Sequence, residues 1–515
     1  MNEIDRRTME SGIPGVILME NAAQRVVELL VEKFSPLENR RIVAFCGRGN
    51  NGGDGLAIAR QLWTRFRPKS LRVVLTSPPN DLNRDAAANL KMLQASGCPP
   101  VYSGPLSGIP VDANLSEVVI DAVLGTGVNG AARGAALEAI RVINTQFPLA
   151  KVVSVDIPSG LSSDTGELIG EYVRADYTVT FTALKVGHAL SPSCDLMGEL
   201  RLGAIGTPPE MLQDDESIGL ALITPEFIAP LFAPRPKESN KGSYGHVLVI
   251  AGSRGKTGAA ALAGLAALRA GAGLVTVASA ESAISTIGSH APELMTAPLP
   301  ETASGAIAAN AFEPILHLAE GKNIVALGPG LGTDPETVDL VRRLYRELPK
   351  TMVIDADGLN ALAGGDWIGS GHLRILTPHP GEMSRLTGKA VEEVQSDRVA
   401  TARDFAAAVH VHVVLKGNRT LIAEPNVQVL VNPTGSPAMA TGGTGDILTG
   451  LAAGLIAQFD GSPEQIGIAL AAAVYLHGLA GELGAKALGE QCLIATDLLD
   501  YLSEAIGTVR KTSDR

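Results

Sequence analysis

Residues 442–457 read GGTGDILTGLAAGLIA. Three glycines and a threonine lead into one acid, Asp446, and the acid opens an apolar run of alanine, glycine and leucine. A run that is apolar all round reads as a buried helix. Its first turn carries unpaired backbone N–H groups and the positive end of the peptide dipoles, which favour a phosphoryl group. Asp446 beside such an anion hole stands where a base could take the proton of an attacking hydroxyl. Phosphoryl transfer needs both features, charge stabilisation and a group that orients the nucleophile. The plain alternative is an aspartate that only complements the helix dipole. No Walker sequence is present, which excludes a P-loop nucleotide hydrolase.

Working outward, the chain before this stretch alternates strand and helix patterns. HVLVIAGS (246–253), GLVTVAS (273–279), NIVALGPG (323–330), TMVIDADG (351–358), RILTPHPGE (374–382) and VHVVLKGN (411–418) read as strands. Helical patterns follow Asp446, Pro463 and Thr496. Continuous apolar strands separated by helices predict a parallel sheet covered on both faces. Three loops follow strands: GPGLG (328–332), TPHPGE (377–382) and LKGNRT (415–420), where Lys416 and backbone groups could hold nucleotide phosphates. His379, between two prolines, is open between a ligand contact and a core histidine. His477, in the apolar pattern AVYLHGLAG, reads as a core residue.

A first alternating series lies nearer the N-terminus: RIVAFCG (41–47), LRVVLTS (71–77), VVIDAVLG (118–125), KVVSVDIPSG (151–160) and YTVTFTA (177–183). Residues 206–243, rich in proline and charge, read as linker or surface. The expectation is two α/β domains, residues 1–215 and 218–515, with the boundary near 215–222. In the first, GRGNNGGDG (47–55) reads as a loop between a strand and the helical pattern LAIARQLW. Asp121 falls inside a strand pattern, and Asp156 and Ser159 at the end of another. Ligands of open parallel sheets sit outside the carboxyl ends of strands, so Asn51, Asp121, Asp156 and Ser159 are expected to share a crevice. Their oxygens suit a hard cation. Taken singly, each could equally be a cap or turn former.

The totals fit this plan. The chain has 515 residues, 45% hydrophobic and 19% charged, enough for sizeable cores. Its 57 glycines and 4% aromatics favour tight strand-to-helix turns over a base-stacking surface. A net charge of -12 argues against general nucleic-acid binding. Cys46, Cys98, Cys194 and Cys492 form no C-x-x-C pair, which points to reduced thiols in a cytoplasmic protein. The start, MNEIDRRTME, is no signal peptide. The longest apolar stretches carry Arg269 or Asp446, so buried helices are expected rather than membrane spans.

The ordered set CGRGNNGGDGLAIAR, VIDAVLGTG, VDIPSGL and FTALKVGH resembles the N-terminal epimerase domain of NAD(P)H-hydrate repair enzymes, over about residues 3–210. The resemblance implies a Rossmann-like fold that interconverts the R and S epimers of hydrated NADH or NADPH. It implies a hydrate site lined by Asn50, Asn51, Gly52, Gly53 and Asp54, by Gly125, Thr126, Gly127, Val128, Asn129, Gly130 and Ala131, and by Asp156. It assigns potassium to Asn51, Asp121 and Ser159. Lys185 stays open between a further polar group of the site and an ordinary surface lysine.

KGSYGHVLVIAGS, TGAAALAG, GPGLG, DADGLNAL, LTPHPGE, VLKGNRT and GGTGDILTG look like the ADP-dependent NAD(P)H-hydrate dehydratase domain, over about residues 222–505. That resemblance implies a ribokinase-like fold in which a nucleotide phosphorylates the 6-hydroxyl of the S-hydrate and phosphate then leaves. Asp446 is then the catalytic base. Ala259, Gly330, His379 and Asp446 contact the hydrate. Lys416, Gly417, Asn418, Arg419, Thr420 and Gly445 contact the adenine nucleotide, ADP with Mg2+. Small-molecule substrates, a homo-oligomer, a cytoplasmic location, and neither nucleic-acid nor membrane partners are expected. Two rivals remain: a ribokinase-like small-molecule kinase that releases a stable phosphorylated product, and a non-catalytic dinucleotide sensor. Asp446 with its glycines speaks against the sensor, which needs no base there.

Overall fold

The structure is a computed structural model. It describes residues 1–515 except 100, 105, 107–112, 128–129, 214, 216–217, 366–370, 426–427, 460–461 and 514–515. The chain divides into two compact units, Met1–Ile218 and Gly219–Arg515.

The first unit is a parallel sheet of six strands: β1 (Arg41–Cys46), β2 (Ser70–Leu75), β3 (Val118–Ala122), β4 (Lys151–Val155), β5 (Tyr177–Phe181) and β6 (Glu199–Gly203). Their order is β2-β1-β3-β4-β5-β6. Successive side chains of a strand point to opposite faces. Ile42, Ala44 and Cys46 therefore pack with the helices Gly15–Phe34, Asn50–Arg65 and Arg84–Ala95. Val43 and Phe45 pack with the helix Gly134–Gln146 on the other side. β6 carries no apolar run and was not expected. Its outer positions are exposed, as suits an edge strand.

The glycine-rich stretch after β1 departs from the loop expected of it. The helix begins at Asn50, so Asn50–Gly55 form its first turns. A Cβ at Gly52 would overlap the carbonyl of Gly47, and one at Gly55 would stand 2.6 Å from Ala122 Cβ. These glycines let the helix lie against the strand ends, which is why they sit inside it.

The second unit has ten strands: β7 (Leu220–Leu222), β8 (His246–Ile250), β9 (Leu274–Ala280), β10 (Met295–Leu299), β11 (Ile324–Leu327), β12 (Thr351–Ile354), β13 (Arg374–Leu376), β14 (His412–Leu415), β15 (Leu421–Ala423) and β16 (Val429–Val431). The order is β10-β9-β8-β11-β12-β13-β14-β15-β16-β7. β10 to β14 are mutually parallel, β15 runs antiparallel to both neighbours, and β7 lies parallel to β16. The stretch 206–243 is thus more than linker: it supplies β7, and Ile223 and Ile228 are fully buried.

The helix Thr444–Ile456 packs against Thr257–Arg269. A Cβ at Gly450 would overlap the Ala263 carbonyl, and one at Gly454 would stand 2.5 Å from that of Ala267. Small residues therefore bring the two backbones together. A third helical stretch, Glu464–Leu488, is long and apolar enough to cross a bilayer, but 72% of its apolar 18-residue window is buried in the fold.

Candidate functional sites

In the first sheet the strand order reverses between β1 and β3, where the following loops diverge and leave a crevice. A cleft of about 880 Å³ lies there. Asn50, Asn51, Asp54, Gly125, Thr126, Gly127, Ala131 and Asp156 line it. Gly52 and Gly53 are buried in helix packing instead, and Gly130 is exposed outside the lining. Val128 and Asn129 lie outside the described residues.

Asp121, next to last in β3, is fully buried. It accepts hydrogen bonds from Ser159 N (2.9 Å), Ser159 Oγ (2.5 Å) and Ser154 Oγ (2.8 Å). Burial pushes its pKa up, and these bonds oppose the rise. Asn51 donates through Nδ2 to Leu124 O at 2.8 Å, while its buried Oδ1 has no partner among the described residues. Ser159 Oγ bridges the same turn, 2.8 Å from Leu124 N. Asn51, Asp121 and Ser159 therefore meet around Leu124. An orphaned carbonyl oxygen beside a buried carboxylate is a donor set that fits a hard cation.

Lys185 is the residue that sequence reasoning left undecided, and it is 8% exposed. Its ammonium donates to Asp156 Oδ1 (2.6 Å), Thr180 Oγ1 (2.7 Å) and Phe181 O (3.0 Å). The short helix Val186–Ala189 returns His188 beneath it. There Nδ1 accepts from Lys185 N at 2.9 Å, and Nε2 lies 3.0 Å from Asp156 O. Burial, with Lys185 adding, lowers the His188 pKa to about 4, so the neutral ring donates through Nε2. Asp5, Arg48 and Arg133 also line the cleft. Arg48 lies in the quoted stretch GRGNNGGDG but is not singled out there, and no motif announces Asp5 or Arg133, which come from separate segments.

In the second unit the functional loops again leave the carboxyl ends of strands. Asp355 follows β12 at 1% exposure. Lys416, after β14, donates to its Oδ1 at 2.7 Å, and Thr449 Oγ1 to its Oδ2 at 2.7 Å. Glu382 lies 3.7 Å from the same ammonium. Burial alone would pull the Lys416 pKa down, but Asp355 and Glu382 outweigh it and leave it raised. Gly445 is next to this pair: a Cβ there would stand 3.4 Å from Lys416 Nζ.

Asp446 occupies the first turn of Thr444–Ile456, with Gly443 as N-cap at φ 95°. Burial raises its pKa to about 6, helped by Asp355 and opposed by Lys416. His477 is a core histidine with a task, its Nε2 2.9 Å from Thr444 O at that helix mouth. His379 caps the helix Pro380–Thr387, Nδ1 accepting from Gly381 N and Glu382 N, which leaves Nε2 on the half-exposed side. At the reversal between β8 and β11, Ala259 meets Gly330, whose Cβ would stand 3.1 Å from that of Ala259. Asp357 closes this side, accepting from Gly332 N (2.8 Å) and Lys256 Nζ (3.1 Å).

The loop 416–420 is held from behind by Arg398, which sequence reasoning did not single out. Its guanidinium donates to the carbonyls of Asn418 (2.5 Å), Leu415 (3.1 Å) and Lys416 (3.4 Å). Gly417 (φ 146°) and Arg419 (φ 58°) give the loop its bend, and Thr420 Oγ1 closes it on Gly417 O at 3.0 Å.

Fold and sites define a two-part α/β enzyme of nucleotide chemistry, a Rossmann-like unit and a ribokinase-like unit in one chain. The family described as YjeF-related protein N-terminus matches residues 15–187, and the one described as NAD(P)H-hydrate dehydratase matches 247–504. The bifunctional NAD(P)H-hydrate repair enzyme Nnr of Moorella thermoacetica is 41% identical over 98% of this chain and 94% of its own. That of Thermofilum pendens is 39% identical over 99% and 95%. Among solved structures, the ADP/ATP-dependent NAD(P)H-hydrate dehydratase of Bacillus subtilis, co-crystallised with ATP and Mg2+, is similar. It covers 57% of this chain and all of its own, at 33% identity and a TM-score of 0.50. The chain belongs to the family of bifunctional NAD(P)H-hydrate repair enzymes.

Proposed function

We propose that residues 1–215 interconvert the R and S hydrates of NADH and NADPH, and that residues 218–515 dehydrate the S form while ADP becomes AMP and phosphate. Full-length kinship carries this reading, since a relative named as a bifunctional NAD(P)H-hydrate repair enzyme matches 98% of the chain. In the second site Asp446 takes the proton of the 6-hydroxyl as it attacks the phosphoryl group. The N–H groups at the mouth of Thr444–Ile456 receive the developing negative charge. Lys416, Gly417, Asn418, Arg419, Thr420 and Gly445 hold the nucleotide, and Ala259, Gly330 and His379 the hydrate. Crystallisation of the Bacillus dehydratase with ATP and Mg2+ supports a nucleotide delivered with Mg2+.

In the first site Asn51, Asp121 and Ser159 hold potassium. The orphaned Asn51 Oδ1 and the buried charge of Asp121 support this assignment. A bound cation there supplies a counter-charge for Asp121 and steadies the turn after β3. A cytoplasmic homo-oligomer completes the proposal.

One assay tests the reading: full-length protein and a mixed epimer pool of hydrated NADH, with and without ADP, followed at the NADH absorbance. Both epimers should be consumed with ADP, and no NADH should form without it. A stable phosphorylated hydrate would make the second unit a kinase instead.

A further inference from the structure

This inference rests on the first unit being the epimerase and concerns how C6 is inverted. Asp156 is a non-glycine residue at φ 67°, a backbone state held only where the surroundings impose it. Two contacts impose it: Asp156 N donates to Val179 O at 2.7 Å, and His188 grips Asp156 O. Its side chain is held equally firmly, but from one side. Oδ1 accepts from both Lys185 and Thr180, while Oδ2 has no hydrogen-bond partner among the described residues. Lys185 has three N–H groups and three acceptors, so it has no donor left for a substrate. It is a positioning residue, and Asp156 is the group it presents to the cleft.

A second carboxyl, Asp54, lines the same cleft from the helix Asn50–Arg65 and has no hydrogen-bond partner among the described residues. Burial, with the charges of Asp156 and Asp5 adding and Lys185 opposing, raises its pKa well above the ordinary range. The titratable groups that act on the pair are Asp5, Lys185 and His188, with the Met1 amino group acting on Asp5, and Arg48, Arg133 and Asp85 stand elsewhere on the cleft lining; Lys185 is the cation bonded to Asp156, and His188 is neutral. The cleft therefore offers two carboxyl groups in different surroundings: Asp156, anchored through Oδ1 by the Lys185 ammonium, and Asp54, without a hydrogen-bond partner among the described residues and with its pKa raised.

We propose that Asp156 and Asp54 are the base and the acid of the epimerisation. Asp156 Oδ2 takes the proton of the 6-hydroxyl, and the O–H pair becomes the second bond of a C6 aldehyde. The C6–N1 bond breaks, its electrons pass to N1, and Asp54 protonates that nitrogen. Rotation about C5–C6 turns the other face of the aldehyde to N1. The reverse sequence then closes the ring with C6 inverted, returns both protons, and consumes nothing. The oxygen stays on C6 throughout.

The test uses the full chain, purified R epimer and no nucleotide, with R and S separated by chromatography. Asp156→Asn is the informative variant, because Asn tolerates this backbone region and keeps an Oδ1 for Lys185 and Thr180. It and Asp54→Asn should each lower kcat by about 10²- to 10⁴-fold with KM unchanged. Lys185→Met should lose rate and recover part of it with added alkylamine. Dehydration of pure S-hydrate with ADP should match wild type in all three. Substrate labelled with ¹⁸O at the 6-hydroxyl should keep its label. Wild-type kcat in either Asn variant, a rise in KM alone, or loss of the label to water would each overturn the proposal. If the wild-type chain fails to speed interconversion above the spontaneous rate, the epimerase reading itself falls.

Discussion

The ammonium of Lys416 lies 2.7 Å from Oδ1 of Asp355, a carboxylate that Thr449 holds by its other oxygen. Removing one member of a buried ion pair leaves the other charge uncompensated, at about 3–5 kcal/mol. Lys416→Met should destabilise the second unit by that order. Lys416→Met with Asp355→Asn should recover part of the loss, because the nearer stranded carboxylate is gone while Glu382 stays. Calorimetry of the three proteins reads this directly, and a harmless single variant would show that the pair is solvated.

Asp446 must be ionised to accept a proton, and its pKa is raised to about 6. Dehydratase kcat should therefore fall as pH drops through about 6, and stay level above it. Steady-state rates from pH 5 to 8 with saturating nucleotide test this. A flat profile across that range would remove Asp446 as the titrating base.

Asp446 also strains the fold in a pH-dependent way. Its folded pKa lies above the unfolded 3.8, so the folded state keeps a proton that the unfolded state has lost. Stability thus falls as pH rises from about 4 to about 6, and the full deficit persists above that range. The shift corresponds to about 3 kcal/mol at most. Asp446→Asn should raise Tm at pH 7.5 and leave it unchanged near pH 3, while dehydratase turnover drops about 10²- to 10⁴-fold. A lower Tm for the variant at pH 7.5 would contradict the burial argument.

Epimerisation should depend on a small monovalent cation and the dehydratase step on pure S-hydrate should not depend on the first site's cation ligands. Replacing potassium by a large organic cation, or Asp121 by Ala, should slow the first reaction. Asp121→Ala should leave the second at wild-type rate. Epimerase rates unchanged in both experiments would mean that Asn51, Asp121 and Ser159 form a capping network only.

Residues 1–218 and 219–515 should fold separately, each with its own core. A second-unit fragment beginning at residue 224 removes β7 and the fully buried Ile223. It should be less stable than the fragment from 219, as read by urea midpoint. Equal midpoints would make β7 dispensable.

Strands with continuous apolar runs were legible because both faces of a parallel sheet are buried, so β1, β8 and β12 carry their own signal. Edge strands such as β6 and β10 carry none, since half of each faces outward. β7 and β15 are three residues long, too short for a pattern. The glycines after β1 read as loop because local propensity disfavours them in a helix. Close approach to the sheet overrides that propensity.

The sequence alone determined the order of the two domains, the Asp446 helix mouth, and Asp121, Asp156 and Ser159 at or near strand ends, because those signals are local: period, turn chemistry and motif spacing. Only the tertiary structure decided that Lys185 is buried against Asp156, that Asp355 holds Lys416, and that Arg398 fixes the loop 416–420. Those pairs join residues 29, 61 and about 20 positions apart. Their meeting depends on strand order, and a buried charge reveals its partner only when the sheet brings both to the same edge.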